Sequence, residues 1–79
     1  MKPGDPVRVR GVSFPQEHQN GRLGRIVGME MDATPKAGPV WRVRMVSPDH
    51  PDFPEDIFDE QFLWLATEEE LLVAEGMEP

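Results

Sequence analysis

The chain is organised around residues 20–28, which read NGRLGRIVG. Asn20-Gly21 is a strong turn signal because both residue types tolerate positive φ, and an apolar strand follows it. The glycines inside that strand indicate curvature or the close approach of another backbone. Residues 7–10 (VRVR) and 40–46 (VWRVRMV) alternate apolar and basic residues with the period of two that is typical of strands. The first half of the chain therefore predicts a small curled β-sheet.

The chain has 79 residues and no cysteine. This length predicts one domain over residues 1–79 with a thin core. The lack of cysteine excludes disulfides, thiolate metal ligands and thiol catalysis, and it agrees with a reducing cytoplasm. No apolar run follows Lys2 and none reaches the ~18 residues of a membrane span, so we expect a cytoplasmic protein without a signal peptide.

Charge is divided unevenly along the chain. Residues 1–44 carry all eight Lys and Arg against four acidic residues, a net charge of +4, and residues 45–79 carry eleven acidic residues and no basic one, a net charge of −11. Two interpretations are open. Either the acidic half folds over the basic half and neutralises it, which we favour, or one charged face stays exposed and selects a partner by its field.

The second half of the chain is punctuated by prolines and acids. Residues 48–60 form a predicted acidic loop in which Pro48, Pro51 and Pro54 recur every third residue, a spacing that favours extended polyproline-II geometry. Residues 62–66 (FLWLA) are continuously apolar and predict a buried strand. Thr67 begins a capping box with three glutamates after it, which predicts a helical turn over residues 67–70. Residues 71–74 are then either the rest of a two-turn helix or a last short strand; we favour the strand, which would pair an otherwise open edge.

This order of elements resembles the SH3-like β-barrel, an all-β fold of four to five strands, here with one short helical turn near the C-terminus. Residues 21–27 (GRLGRIV) are similar to the glycine turn of the KOW-type barrels of ribosomal and transcription factors. Residues 4–10 (GDPVRVR), the long loop after them and residues 40–44 resemble the electron-transport accessory barrels, which include the C-terminal domain of the nitrile hydratase beta subunit. The resemblance covers about residues 4–73 and implies a non-catalytic accessory role.

No pattern in the chain marks an active or metal site. His18 and His50 lie in predicted loops without the further ligands of a zinc site, and the acids of residues 49–60 do not have the spacing of a calcium loop. Ser47, Asp49 and His50 are the residue types of a catalytic triad, but near neighbours in an extended segment point apart. We therefore expect no enzyme activity, no cofactor and no metal.

A protein-interaction module is the function that we favour from the sequence, with another protein or a second copy of the chain as partner. The alternative is a KOW-like RNA-binding module that uses Arg22 and Arg25, although an isoelectric point near 4.6 opposes binding to a polyanion. A subunit of an enzyme that needs a partner chain is a third, weaker option. Alternation places four arginines on the outer face of the sheet, and two phenylalanines lie among the acids of residues 48–60. The candidate contact residues are Arg8, Arg10, Arg42, Arg44, Phe53 and Phe58.

Overall fold

The chain folds as one five-stranded antiparallel sheet with a short helix after the last strand, in a computed structural model that describes residues 1–76. The order of strands across the sheet is β4-β3-β2-β1-β5, so β4 and β5 are its two edges. Short 3₁₀ turns occupy Glu17–Gln19 and Glu60–Phe62. The strands are β1 (Pro6–Val9), β2 (Leu23–Met31), β3 (Val40–Met45), β4 (Glu55–Asp59) and β5 (Leu63–Leu65), and the helix is α1 (Glu68–Ala74).

The core lies on one face of this sheet. The predicted alternation is confirmed in β1 and β3, where every second residue is buried and the arginines between them point to the other face. Asn20 closes the first long loop, because its side chain accepts from the backbone N–H of Val12 and donates to the carbonyl of the same residue. The core comprises Val7, Val9, Val12, Ile26, Trp41, Val43, Met45, Phe58 and Leu63.

Gly24 explains how β2 and β3 pack so closely. A Cβ atom at this position would lie 2.6 Å from Cγ1 of Val43 and 2.7 Å from the carbonyl oxygen of Arg44. The close approach predicted for this glycine is therefore confirmed. At Gly28 the register shifts by one residue, which is a β-bulge and increases the local twist of β2.

Two predictions for the acidic segment are wrong. The predicted loop over residues 48–60 contains β4, in which Asp56 and Phe58 face the inside while Ile57 is exposed. The strand was not predicted because Asp and Glu are depleted in strands. It forms nevertheless because it pairs with β3, and this packing overrides the preference of the acidic residues. The polyproline-II geometry is not formed either, because the N–H of Phe53 bonds the carbonyl of His50 and closes a turn between the prolines.

The C-terminal prediction also needs correction. The capping box is confirmed, because Oγ1 of Thr67 accepts from the N–H of Glu70 at 3.1 Å, but the helix then continues through Ala74. The strand that we favoured over residues 71–74 is therefore wrong. Leu71 is fully buried under the helix, and Gly76 follows the helix with a φ of 80°. The last strand is instead β5, in which Leu63 is buried but Trp64 and Leu65 are exposed, so residues 62–66 are only partly the buried strand that was predicted.

Candidate protein-interaction surface

The outer face of the sheet carries the four predicted contact arginines and the helix. Arg8 lies on β1 and Arg42 and Arg44 on β3, with β2 between these strands. Arg25 of β2 lies directly opposite Arg44, so the arginines form one broad surface across three strands. Helix α1 lies over the part of this face formed by β1 and β2, where Leu23 and Arg8 line an open groove of about 580 Å³ beside Val73.

Ion pairs attach the helix to the arginines beneath it. Two nitrogens of Arg25 donate to the two carboxylate oxygens of Glu68 at 2.6 and 2.9 Å, and Arg25 also donates to the carbonyl of Gly4. This hydrogen-bonded pair lowers the pKa of Glu68 and raises the pKa of Arg25. Arg8 reaches Glu70 at 3.4 Å and donates to the carbonyl of Gly21 at 2.9 Å. The acidic first turn of α1 is thus held by two arginines of the sheet.

Arg42 is also engaged within the chain. Its Nη2 lies 2.5 Å from Glu30 and its Nε lies 3.8 Å from Glu55, so carboxylates of β2 and β4 flank it. Val27 and Ile57 leave apolar surface exposed on the two strands beside it. This part of the outer face is therefore an ion cluster bordered by accessible aliphatic side chains.

The loop before β4 is joined to the first long loop by charge. Asp49 accepts from Arg22 and contacts Nε2 of His18, both at 2.8 Å, and these two partners lower its pKa. Gln19 is almost fully buried and its amide donates to Asp56 at 3.1 Å. Sequence reasoning missed this cluster, because His18 and Asp49 are 31 positions apart and only the fold brings them together.

Most of the ion pairs join the basic first half of the chain to its acidic second half. Arg8, Arg22 and Arg25 each bond a carboxylate of the acidic half, and Arg42 bonds one acid from each half. Internal neutralisation, the interpretation that we favoured, accounts for these four arginines.

Two of the predicted contact arginines differ from the rest. Within residues 1–76, neither Arg10 nor Arg44 makes a salt bridge. The guanidinium carbon of Arg10 lies 5.0 Å from the ring centroid of Trp64, a cation–π contact. No carboxylate of the described residues therefore neutralises Arg10 or Arg44, and both can pair with an acidic group of a partner, whereas Arg8 and Arg42 are already paired.

The two predicted contact phenylalanines have opposite environments. Phe53 is 77% exposed in the loop just before β4, so it is accessible to a partner. Phe58 is 3% exposed and packs in the core opposite Trp41, which removes it from the accessible surface of the chain. Alternation in β4 decides this, because Phe58 faces inward whereas Ile57 faces outward.

The most exposed apolar strand is β5. Trp64 is 56% and Leu65 66% exposed, and the two side chains point to opposite faces of this edge strand. Trp64 lies opposite Arg8 in the register, and Arg8 lines the groove beneath α1. The sequence offered one signal for this site, the apolar run of residues 62–66, which we interpreted as buried.

Neither a metal site nor a membrane-spanning helix is present in the part of the chain that the structure describes. No group of three or more His, Asp or Glu side chains in residues 1–76 is arranged to hold a metal ion. No helix in that range is long and apolar enough to cross a membrane. Comparisons with protein-family models, with curated proteins and with solved structures find no match for this chain.

Proposed function

We propose that the chain is a non-catalytic accessory or protein-interaction module with an SH3-like barrel fold. The observation that carries the functional proposal is apolar surface outside the core. Within residues 1–76, eleven large apolar side chains are exposed, as many as the core and the helix interface bury. Scattered exposed residues are normal, but three of these lie beside arginines of the outer face. Trp64 lies opposite Arg8, and Val27 and Ile57 lie on the two strands that flank Arg42.

The connection between the two edge strands supports the barrel. In a flat five-stranded sheet the edges would be about 19 Å apart, at ~4.8 Å per strand. The four residue steps from Asp59 to Leu63 span at most about 14 Å when fully extended, and a 3₁₀ turn occupies most of that distance and shortens it further. This short connection supports a curled sheet of the SH3-like kind, in which β4 and β5 come near each other without pairing.

Arginines that are already paired with carboxylates of the same chain are poor contacts for a partner, so only part of the arginine face is suited to binding. Desolvating Arg8, Arg25 or Arg42 in an interface would require a partner that competes with carboxylates already in place. Arg10 and Arg44 carry no such competitor within residues 1–76. The contact surface that we propose therefore combines these two arginines with the exposed apolar residues of the outer face and of β5.

The experiment is site-specific photo-crosslinking in an extract of the native cell. A photoreactive side chain replaces Trp64 in one variant, Ile57 in a second and Lys36, which lies in the exposed loop after β2, in a control. We expect a discrete protein adduct from Trp64 or Ile57 and none from Lys36. Equal labelling from all three positions, or no adduct from any, would contradict the proposal.

An RNA-binding assay tests the alternative function. Arg22 and Arg25, the residues that the alternative uses, are bonded to Asp49 and Glu68. Because these carboxylates occupy the guanidinium donors, we expect no saturable binding to single-stranded RNA at physiological salt. Saturable binding that weakens steeply with added salt, and that is lost in Arg22→Glu, would favour the RNA-binding module instead.

A further inference from the structure

The floor of the groove beneath α1 belongs to a row of side chains that crosses three strands. In the register of the sheet, Arg8 of β1 lies opposite Leu23 of β2 on one side and opposite Trp64 of β5 on the other. Residues paired across an antiparallel ladder share a face, so all three side chains lie on the outer face. Leu23 is buried there without belonging to the core of the inner face. Leu23 and Arg8 line the groove, and the row ends beyond it at the exposed Trp64.

Helix α1 forms the wall of the groove, in two parts of different chemistry. Residues four apart are neighbours on a helix, so Glu69 lies next to Val73 and Glu70 lies next to Ala74. All four residues line the groove. Val73 is 57% exposed, whereas Leu71, which points to the sheet, is fully buried. The wall is therefore acidic in the first turn of α1 and apolar in the second.

The groove carries a net negative charge. Glu70 is paired with Arg8 at 3.4 Å, and the hydroxyl oxygen of Thr67 already accepts the N–H of Glu70. Glu69 lines the same groove, and no salt bridge within residues 1–76 neutralises it. Two carboxylates thus accompany one guanidinium. Charge complementarity therefore selects a cation as the occupant, and the net charge of −7 on the chain favours its approach.

We propose that this groove binds a lysine side chain of a partner protein. The methylene groups of the lysine lie on Val73 and Leu23, and its ammonium lies beside Glu69. A long cationic side chain covers apolar surface in this way while its charged end stays near water. Neither an acidic nor a purely apolar side chain matches both parts of the wall. The proposal rests on the interaction function proposed above and states the chemistry of the partner.

The residue next to the lysine in the partner is apolar. The row that forms the floor of the groove continues from Arg8 to Trp64, which is 56% exposed. A partner segment that leaves the groove along this row meets the indole of Trp64 before the edge of the sheet. An apolar side chain at that point buries surface that the fold leaves in water. The partner segment thus combines a lysine with an apolar neighbour.

The test is an NMR titration of the isotope-labelled chain with the acetylated and amidated tripeptide Leu-Lys-Leu at physiological salt. We expect saturable shifts of the backbone amide signals of Leu23 and Val73. The same peptide with glutamate in place of lysine does not bind. Ornithine in place of lysine keeps the charge but is one methylene group shorter. It binds about fourfold more weakly, which is the effect of one buried methylene group.

Two variants separate the groove from a general attraction between a cation and an acidic chain. Glu69→Gln removes a carboxylate of the groove, whereas Glu75→Gln removes the same charge at the end of α1, beside a different pocket. We expect Glu69→Gln to weaken binding of the lysine peptide about two- to fivefold and Glu75→Gln to leave it unchanged. Both side chains are exposed, so neither variant removes a buried contact.

Three outcomes would overturn the inference. They are equal weakening by Glu69→Gln and Glu75→Gln, a glutamate peptide that binds as well as the lysine peptide, and no saturable shift in the groove. Self-association that is lost when Lys2 and Lys36, the two lysines of the chain, are both changed to Gln would assign the groove to a second copy instead. A foreign adduct through Trp64 or Ile57 without peptide binding in the groove removes only the lysine site, whereas the absence of both removes the proposed function as well.

Discussion

Gly24→Ala tests the packing of β2 against β3 most directly. The new methyl group would lie 2.6 Å from a methyl carbon of Val43 and 2.7 Å from the carbonyl oxygen of Arg44, closer than real Cβ contacts come. Val43 is fully buried and the oxygen belongs to the backbone, so neither can move without disturbing the core or the ladder. Such overpacking typically costs 1–3 kcal/mol, and we expect about 2 kcal/mol here because one contact is with the backbone.

This loss is large for so small a domain. A chain of this size has a total stability of about 4–12 kcal/mol, and 1 kcal/mol lowers its melting temperature by roughly 4–8 °C. Gly24→Ala should therefore melt about 8–16 °C below the wild type. The assay is thermal and urea unfolding followed by tryptophan fluorescence, because Trp41 is buried in the core and reports on its opening.

Gly28→Ala is the matched control within the same strand. No atom lies within 4 Å of a Cβ at this position, and its φ is not in the left-handed region. Restricting the unfolded chain should then leave the stability unchanged or raise it by about 0.4–1 kcal/mol. A Gly24→Ala protein as stable as the wild type, or equal losses at the two glycines, would contradict this close packing of β2 against β3.

Three further predictions concern the helix and the loops. Leu71→Ala should lower the free energy of unfolding by about 2–5 kcal/mol because Leu71 is fully buried, whereas Leu72→Ala, at a partly exposed position, should cost far less. Urea titration compares the two variants, and equal losses would contradict the packing of α1. Thr67→Ala should cost about 1 kcal/mol by removing the cap on the Glu70 N–H, and Thr67→Ser should retain most of it; helicity lost equally in both would argue against the cap. His18 and Arg22 lower the pKa of Asp49 in the folded chain, so the unfolded chain binds the proton more readily. The ionised carboxylate therefore stabilises the fold above the ordinary carboxyl pKa, and this stabilisation is lost as the pH falls through the lowered pKa of Asp49. Asp49→Asn should therefore flatten the acid side of the melting temperature against pH, and an unchanged acid slope would contradict it.

The sequence was sufficient wherever one face of a strand is buried and the pattern is strict. In β1 and β3 valines and arginines alternate, so burial follows from the period of two alone. The cap at Thr67 also follows locally, because it depends on one residue type and its immediate neighbours. The close approach at Gly24 was predicted from the residue type, but the atoms that it faces belong to β3. Sequence reasoning failed at β4, where acids hide the alternation around Phe58, and at residues 71–74, where a helix and a strand were both compatible with the pattern.

The candidate surface depended on the fold in a different way. All four predicted arginines point away from the core, as alternation requires, but the sequence did not separate Arg10 and Arg44 from Arg8 and Arg42. That distinction needs the carboxylates that come from distant strands and from α1. The same holds for Phe53 and Phe58, which both lie among acids in the sequence. Phe58 is buried because it faces inward from β4, whereas Phe53 is exposed in the loop before that strand.

The amino-acid pattern was enough to predict a small β-rich sheet, the inward and outward faces of its two regular strands and the division of charge along the chain. These properties are local, because the side-chain period of a strand and the conformational preferences of glycine and threonine act over a few residues. Three properties came from the fold instead: which charges neutralise one another, which aromatic residues are buried and which strands form the edges of the sheet. Pairing between distant segments sets these properties, and β5 shows why: its apolar residues resemble core in the sequence, and they are exposed because the strand lies at the edge of the sheet, where Trp64 has no further strand to pack against.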